Sequence, residues 1–123
     1  VERESPIFTR LYDLILWLLN HTESFPKSER FRLAKRLDDA ALDLYAQLTR
    51  AVRSPAPRPE LLEADRQLAM LRFYLRLSHA RRLTSPAQYE YAAGLLTEIG
   101  RLLGGWLKKQ PPPSSDLSAP SGA

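Results

Sequence analysis

Ala64-Asp65-Arg66-Gln67-Leu68-Ala69-Met70-Leu71-Arg72-Phe73-Tyr74-Leu75-Arg76, followed shortly by Thr84-Ser85-Pro86-Ala87-Gln88, carries most of what the chain says about its architecture. Ala64, Leu68, Leu71 and Leu75 recur at steps of four and three, the spacing of one helical face. Met70, Phe73, Tyr74 and Leu77 flank that stripe, which predicts a helix over 60–82 that is apolar well beyond one face. At Ser85 a new helix begins. Ser85 is a suitable N-cap, Pro86 fits the first helical position because it has no N–H to satisfy, and Gln88 can close a capping box onto the Ser85 backbone. That helix should reach Lys109 on the stripe Ala92, Leu95, Ile99, Leu102 and Trp106, with Leu96, Leu103 and Leu107 beside it.

Two more helices precede this pair. Ser5-Pro6 repeats the start signal, and Phe8, Leu11, Ile15 and Leu18, widened by Leu14 and Trp17, mark a face that ends near Asn20-His21. A second helix is predicted from Pro26 to Arg53, with Leu33, Leu37, Ala40 and Leu44 on one side and Ala34, Ala41, Tyr45, Leu48 and Val52 adjoining. Ser54-Pro55-Ala56-Pro57-Arg58-Pro59 interrupts, because each proline lacks an N–H and biases its predecessor toward extended geometry. No segment alternates with a period of two, so strands are not expected. Four amphipathic helices joined by short connections predict an all-α, antiparallel, up-down-up-down four-helix bundle over residues 1–109. Residues 110–123, rich in Pro and Ser, offer little to bury and are expected to form a flexible tail.

Composition narrows the function classes. A chain of 123 residues suits one domain, and the absence of cysteine excludes disulfides and thiolate metal sites. No apolar run approaches the roughly 18 residues that cross a bilayer, and no basic, apolar and small-residue leader pattern opens the chain, so a soluble cytoplasmic protein is expected. His21 and His79 are the only histidines, and the glycines do not lie between a strand and a helix, so neither a metal motif nor a phosphate loop is present. The reading is a non-enzyme without a cofactor. The net charge of +4 suits an anionic partner such as nucleic acid.

Most cations have ordinary explanations. Arg50, Arg53, Arg81, Arg82, Lys108 and Lys109 lie near helix C-termini, where the macrodipole favours them. Lys35 and Arg36 can pair with Asp39, Arg32 with Glu29, and Arg101 with Glu98. Arg72 and Arg76 stand four apart with no acid three or four positions from either, and so need an acid on another helix, a water layer or an external anion. His79 extends their face. A hairpin centred on Thr84 would bring Arg101 roughly opposite Gln67, where it could lengthen the stripe together with Arg66. A row of guanidiniums suits phosphates. Tyr74, Tyr89, Tyr91 and Trp106 could stack on bases, although aromatics at this spacing ordinarily belong to the core. Gly100 and Gly104 each cost about 1 kcal/mol in a helix, which close approach of another backbone would offset.

The segment 64–76, with Thr84-Ser85-Pro86-Gln88 and Glu98-Ile99-Gly100-Arg101-Leu102-Leu103-Gly104-Gly105-Trp106, resembles the Avd accessory proteins of diversity-generating retroelements. Phe25-Pro26-Lys27-Ser28-Glu29-Arg30-Phe31 is similar to the related ribosomal intervening-sequence four-helix proteins. The resemblance implies a homopentameric barrel that binds RNA and DNA and associates with a reverse transcriptase copying template-repeat RNA during mutagenic retrohoming. It carries Arg72, Arg76 and Arg101 over as nucleic-acid contacts. The alternatives are a helical module that contacts the polymerase without binding RNA itself, and a ribosome-associated protein.

Overall fold

A computed structural model describes residues 5–112, and the expected tail from 113 onward lies outside the described residues. Helix α1 spans Pro6–Thr22, α2 Leu33–Arg53, α3 Arg58–Ala80 and α4 Pro86–Lys108, with one 3-10 turn at Lys27–Glu29. No strand occurs among the described residues. The chain is an all-α four-helix bundle. Each helix packs on two others, in the cycle α1, α2, α3, α4, and α1 lies diagonal to α3.

The cross-helix contacts run in opposite directions at every seam. Thr22 meets Asp38 while Phe8 meets Tyr45, and Arg36 meets Tyr74 while Gln47 meets Glu60. Arg72 reaches Leu96 while Leu68 faces Gly100, two pairs with Thr84 at their midpoint, as the predicted hairpin requires. Arg10 reaches Glu98 while Trp17 meets Tyr91, which closes the cycle between α1 and α4.

The core consists of the innermost residues of each stripe. Ile7, Leu11, Leu14 and Leu18 come from α1; Leu37, Ala41, Leu44 and Leu48 from α2; Leu61, Ala64, Leu68, Leu71 and Leu75 from α3; Ala92, Leu96, Ile99 and Leu103 from α4. Phe8, Ile15, Leu95, Leu102 and Trp106, expected at the centre of their stripes, pack only partly against that core. Val52 is exposed, since the last turn of α2 leaves it on the outer side of buried Ala51.

Three boundaries differ from the sequence expectation for local reasons. The second helix does not run from Pro26: the 3-10 turn and a non-helical Arg32 (φ −114°, ψ −107°) delay α2 to Leu33. Buried Glu29 explains the break. Its carboxylate accepts from Arg81 of the α3 C-terminus at 2.8 Å, with Arg32 at 3.8 Å, so the turn is tied to a distant helix end. The Arg81 hydrogen bond holds the Glu29 carboxyl below its usual range against the opposing effect of burial, and Arg32 assists. Helix α3 starts early because Pro59 falls in its first turn, where a missing N–H is harmless. It stops at Ala80 because Arg82 takes φ 65°, a left-handed conformation, and the Leu83 N–H then bonds the Ser78 carbonyl.

The caps of α1 and α4 differ. Gln88 N–H donates to Ser85 Oγ at 3.1 Å and Ser85 N–H to Gln88 Oε1 at 2.8 Å, a complete capping box. Ser5 occupies the corresponding position on α1 but makes no side-chain cap bond.

Candidate nucleic-acid interface

Arg72 is the best-positioned of the predicted site residues. Its Nη2 donates to the Leu96 carbonyl oxygen of α4 at 3.1 Å. In an α-helix that carbonyl already accepts the N–H of the residue four positions on, which here is Gly100. Gly100 leaves the carbonyl's other side open, and a Cβ at that position would fall on the Arg72 guanidinium. The expected benefit of close backbone approach is therefore replaced at Gly100 by a seat for a side chain. At Gly104, Gly94 and Gly105 a Cβ would meet nothing within 4 Å among the described residues, so none of these accounts for those glycines.

A guanidinium has five N–H donors. Anchoring one on Leu96 fixes the plane and leaves the others available, a geometry suited to phosphate oxygens. Arg76, one turn further along α3, is exposed and makes no ion pair among the described residues. Arg101 follows Gly100 on α4, is 70% exposed, and stands 3.8 Å from Glu98. Glu98 bonds Arg10 more closely, at 3.0 Å, which leaves Arg101 only loosely paired.

The other two predicted residues lie elsewhere. Arg66 turns to Glu63, donating to both carboxylate oxygens at 3.0 and 2.6 Å, and lines a groove between α2 and α3 rather than the seam with α4. The Arg66 hydrogen bonds, helped by one from Gln67, bring the Glu63 carboxyl down to about 2. His79 Nδ1 donates to the Thr84 carbonyl at 3.0 Å, and its ring stacks on Tyr89 at 4.6 Å and 9°. It is a structural clamp on the α3–α4 turn.

That turn is also held from α1. His21 Nε2 lies 2.8 Å from Thr84 Oγ1, which lies 2.7 Å from Ser78 Oγ, and Ser78 donates to the Leu75 carbonyl at 2.8 Å. With the Ser78 proton committed, Thr84 donates to Ser78 and accepts from His21 Nε2–H, a relay that assigns the tautomer. Burial keeps the His21 imidazole below its ordinary range. No sequence signal joins residues 63 positions apart in this way.

On α2, Lys35 takes Asp39 at 2.7 Å, and Arg36 does not share it. Arg36 turns instead to Tyr74, with Nη1 3.4 Å from the phenol oxygen and the guanidinium carbon 6.0 Å from the ring centroid. The exposed apolar residues also cluster. Leu62, Met70, Phe73 and Leu77 on the outer face of α3, and Tyr12, Leu16 and Leu19 on α1, are all more than a third exposed. No cluster of His, Asp or Glu able to hold a metal occurs among the described residues. Among the same residues no helix is long and apolar enough to cross a membrane.

The family model described as bAvd-like matches residues 7–110, which span all four helices. The chain belongs to the bAvd-like family. A comparison with curated proteins finds no match. The bAvd-like family is one of accessory proteins rather than catalysts, and it agrees with the resemblance carried by segments 64–76 and 98–106. Both guanidinium-bearing segments of the α3–α4 seam lie inside the matched range.

Proposed function

We propose that the chain is a non-catalytic accessory subunit of a diversity-generating retroelement, binding nucleic acid beside the reverse transcriptase. The observation that carries this reading is the Arg72 guanidinium seated over Gly100, next to Arg76, which no acid neutralises among the described residues. Two adjacent cations in mid-helix gain nothing from the macrodipole and repel one another by a few tenths of a kcal/mol. An external polyanion turns that repulsion into attraction. Template-repeat RNA is the expected ligand, with DNA accepted through the same backbone contacts, because no helix-turn-helix or other base-reading element is present among the four helices.

The exposed faces of α1 and α3 support assembly of the chain with copies of itself. They lie on diagonal helices, so the two apolar surfaces differ and point away from each other. Contact between unlike faces propagates head to tail and closes a ring where the rotation allows, which is compatible with the pentamer that the resemblance implies. The same apolar surface favours the second reading, a module that docks on the polymerase and leaves RNA binding to it.

The test is retention of structured RNA by the purified protein at low ionic strength. The proposal expects binding that weakens steeply with salt, as counterion release requires. Retention of the polymerase with no RNA binding at any salt would transfer the function to the docking module.

A further inference from the structure

The α2–α3 side of the bundle carries two adjoining concavities, and Phe31, Arg32, Arg36 and Tyr74 belong to both. Phe31 is 79% exposed, the most exposed large apolar side chain among those described, although it stands two residues before α2, whose inner face is buried. It leaves an aromatic face in water at the rim of a basic hollow. Arg36 forms no ion pair among the described residues, although Asp39 lies one turn away, and holds only the Tyr74 phenol and ring face. Glu29, the one acid of the hollow shared with Leu77 and Arg81, is buried and already satisfied by Arg81 and Arg32. Asp39 and Asp43 belong to the other concavity, one and two turns further along α2, so the basic end lies toward Phe31.

We infer that this basic end is a second nucleic-acid site, distinct from the Arg72 seam, that takes unpaired nucleotides, with a base stacked on Phe31 and the flanking phosphates on Arg32 and Arg36. The inference rests on the proposed nucleic-acid function and adds strandedness to it. Paired bases in an A-form duplex have no free face to offer an aromatic ring, whereas a single strand does. Exposed aromatics interleaved with guanidiniums are the arrangement that holds single strands without reading their sequence. At the Arg72 seam Tyr89 is taken up by His79, and Phe73, the exposed ring beside Arg72 and Arg76, leans on Tyr74 and is 42% exposed against 79% for Phe31.

The experiment measures fluorescence anisotropy of a labelled oligouridylate strand and of a labelled RNA duplex of the same length, over a salt series. It compares the full chain with Phe31→Ala, Phe31→Trp, Arg36→Gln and the Arg72→Gln/Arg76→Gln double variant, with light scattering on each. Phe31→Ala should weaken the single strand about fivefold or more, the lower end of what loss of one base–aromatic stack produces. Its salt slope should stay unchanged, because no charge is removed, and the duplex should bind as before. Phe31→Trp should restore affinity, and Arg36→Gln should make the slope shallower. If Phe31→Ala and Arg36→Gln bind the strand like the parent while the Arg72/Arg76 variant does not, the groove inference falls and the proposed function stands. If the parent binds neither probe, both fall. A Phe31→Ala protein of lower assembly mass but unchanged strand affinity would assign the ring to an interface between copies and overturn the inference.

Discussion

Replacing Gly100 and Gly104 by alanine, one at a time, should have opposite consequences although both sit in the same helix. Each substitution removes the backbone entropy cost of glycine, worth about 1 kcal/mol in a helix interior. At Gly104 nothing among the described residues lies within 4 Å of the new methyl, so that gain is kept. At Gly100 the methyl takes the space of the Arg72 guanidinium, which is the end of a flexible side chain and swings away. The loss is the hydrogen bond to the Leu96 carbonyl, made at 3.1 Å in a partly buried position. Bonds to charged donors are worth about 1.5–3 kcal/mol, and partial exposure brings this one to the lower end. Gly100→Ala should therefore be neutral to about 1 kcal/mol destabilising, and Gly104→Ala about 1 kcal/mol stabilising. For a domain of this size, each kcal/mol is roughly 4–8 °C in Tm, so thermal unfolding separates the variants easily. In an Arg72→Ala background, where that bond is already gone, Gly100→Ala should show the helix gain of about 1 kcal/mol, a coupling of at least about 1 kcal/mol in a double-mutant cycle. RNA affinity should fall in Gly100→Ala and not in Gly104→Ala. Equal stabilisation by the two substitutions would refute the seat.

Arg82 holds φ 65° without being glycine, so Arg82→Gly should raise stability by about 1 kcal/mol in urea unfolding. A drop in stability there would mean that the Arg82 side chain makes an interaction worth more than its backbone strain. His21 is kept neutral by burial while the unfolded chain protonates near the ordinary value of 6.5. Its contribution is complete above that pH and declines as pH falls below it, through the lowered folded value. Unfolding midpoints measured from neutral to mildly acidic pH should drop in the parent and flatten in His21→Gln. Thr84→Val strips the hydroxyl that links His21 to Ser78 and should cost about 1–3 kcal/mol in the same assay, the penalty for unpaired buried polar groups.

The sequence discloses the helices wherever local chemistry sets them. The Ser85–Gln88 capping box and the Leu68, Leu71, Leu75 stripe are local patterns, and the hairpin register follows from the short Thr84 turn. It conceals whatever depends on a distant partner. The delayed start of α2 comes from Glu29 binding Arg81, 52 positions away, and periodicity cannot register that. Spacing pairs Arg36 with Asp39 because both are on one helix face, yet Lys35 takes the carboxylate and Tyr74 offers the guanidinium a ring. The candidate site is legible as charge without geometry. Arg72 and Arg76 stand out through missing intrahelical acids, but the reason for Gly100 requires α3 and α4 side by side. Spacing groups Arg66 with them, and the packing of α3 on α2 puts it on the other flank.

The central claim is that the Arg72–Arg76 face binds nucleic acid, and its most direct test is the salt dependence of RNA affinity in the Arg72→Gln/Arg76→Gln variant. With the variant folded and assembled like the parent, affinity should drop. The slope of log affinity against log salt should become shallower by roughly 0.7–0.9 for each phosphate that a protomer no longer neutralises. Unchanged affinity and slope would contradict the claim and assign these arginines to protein contacts.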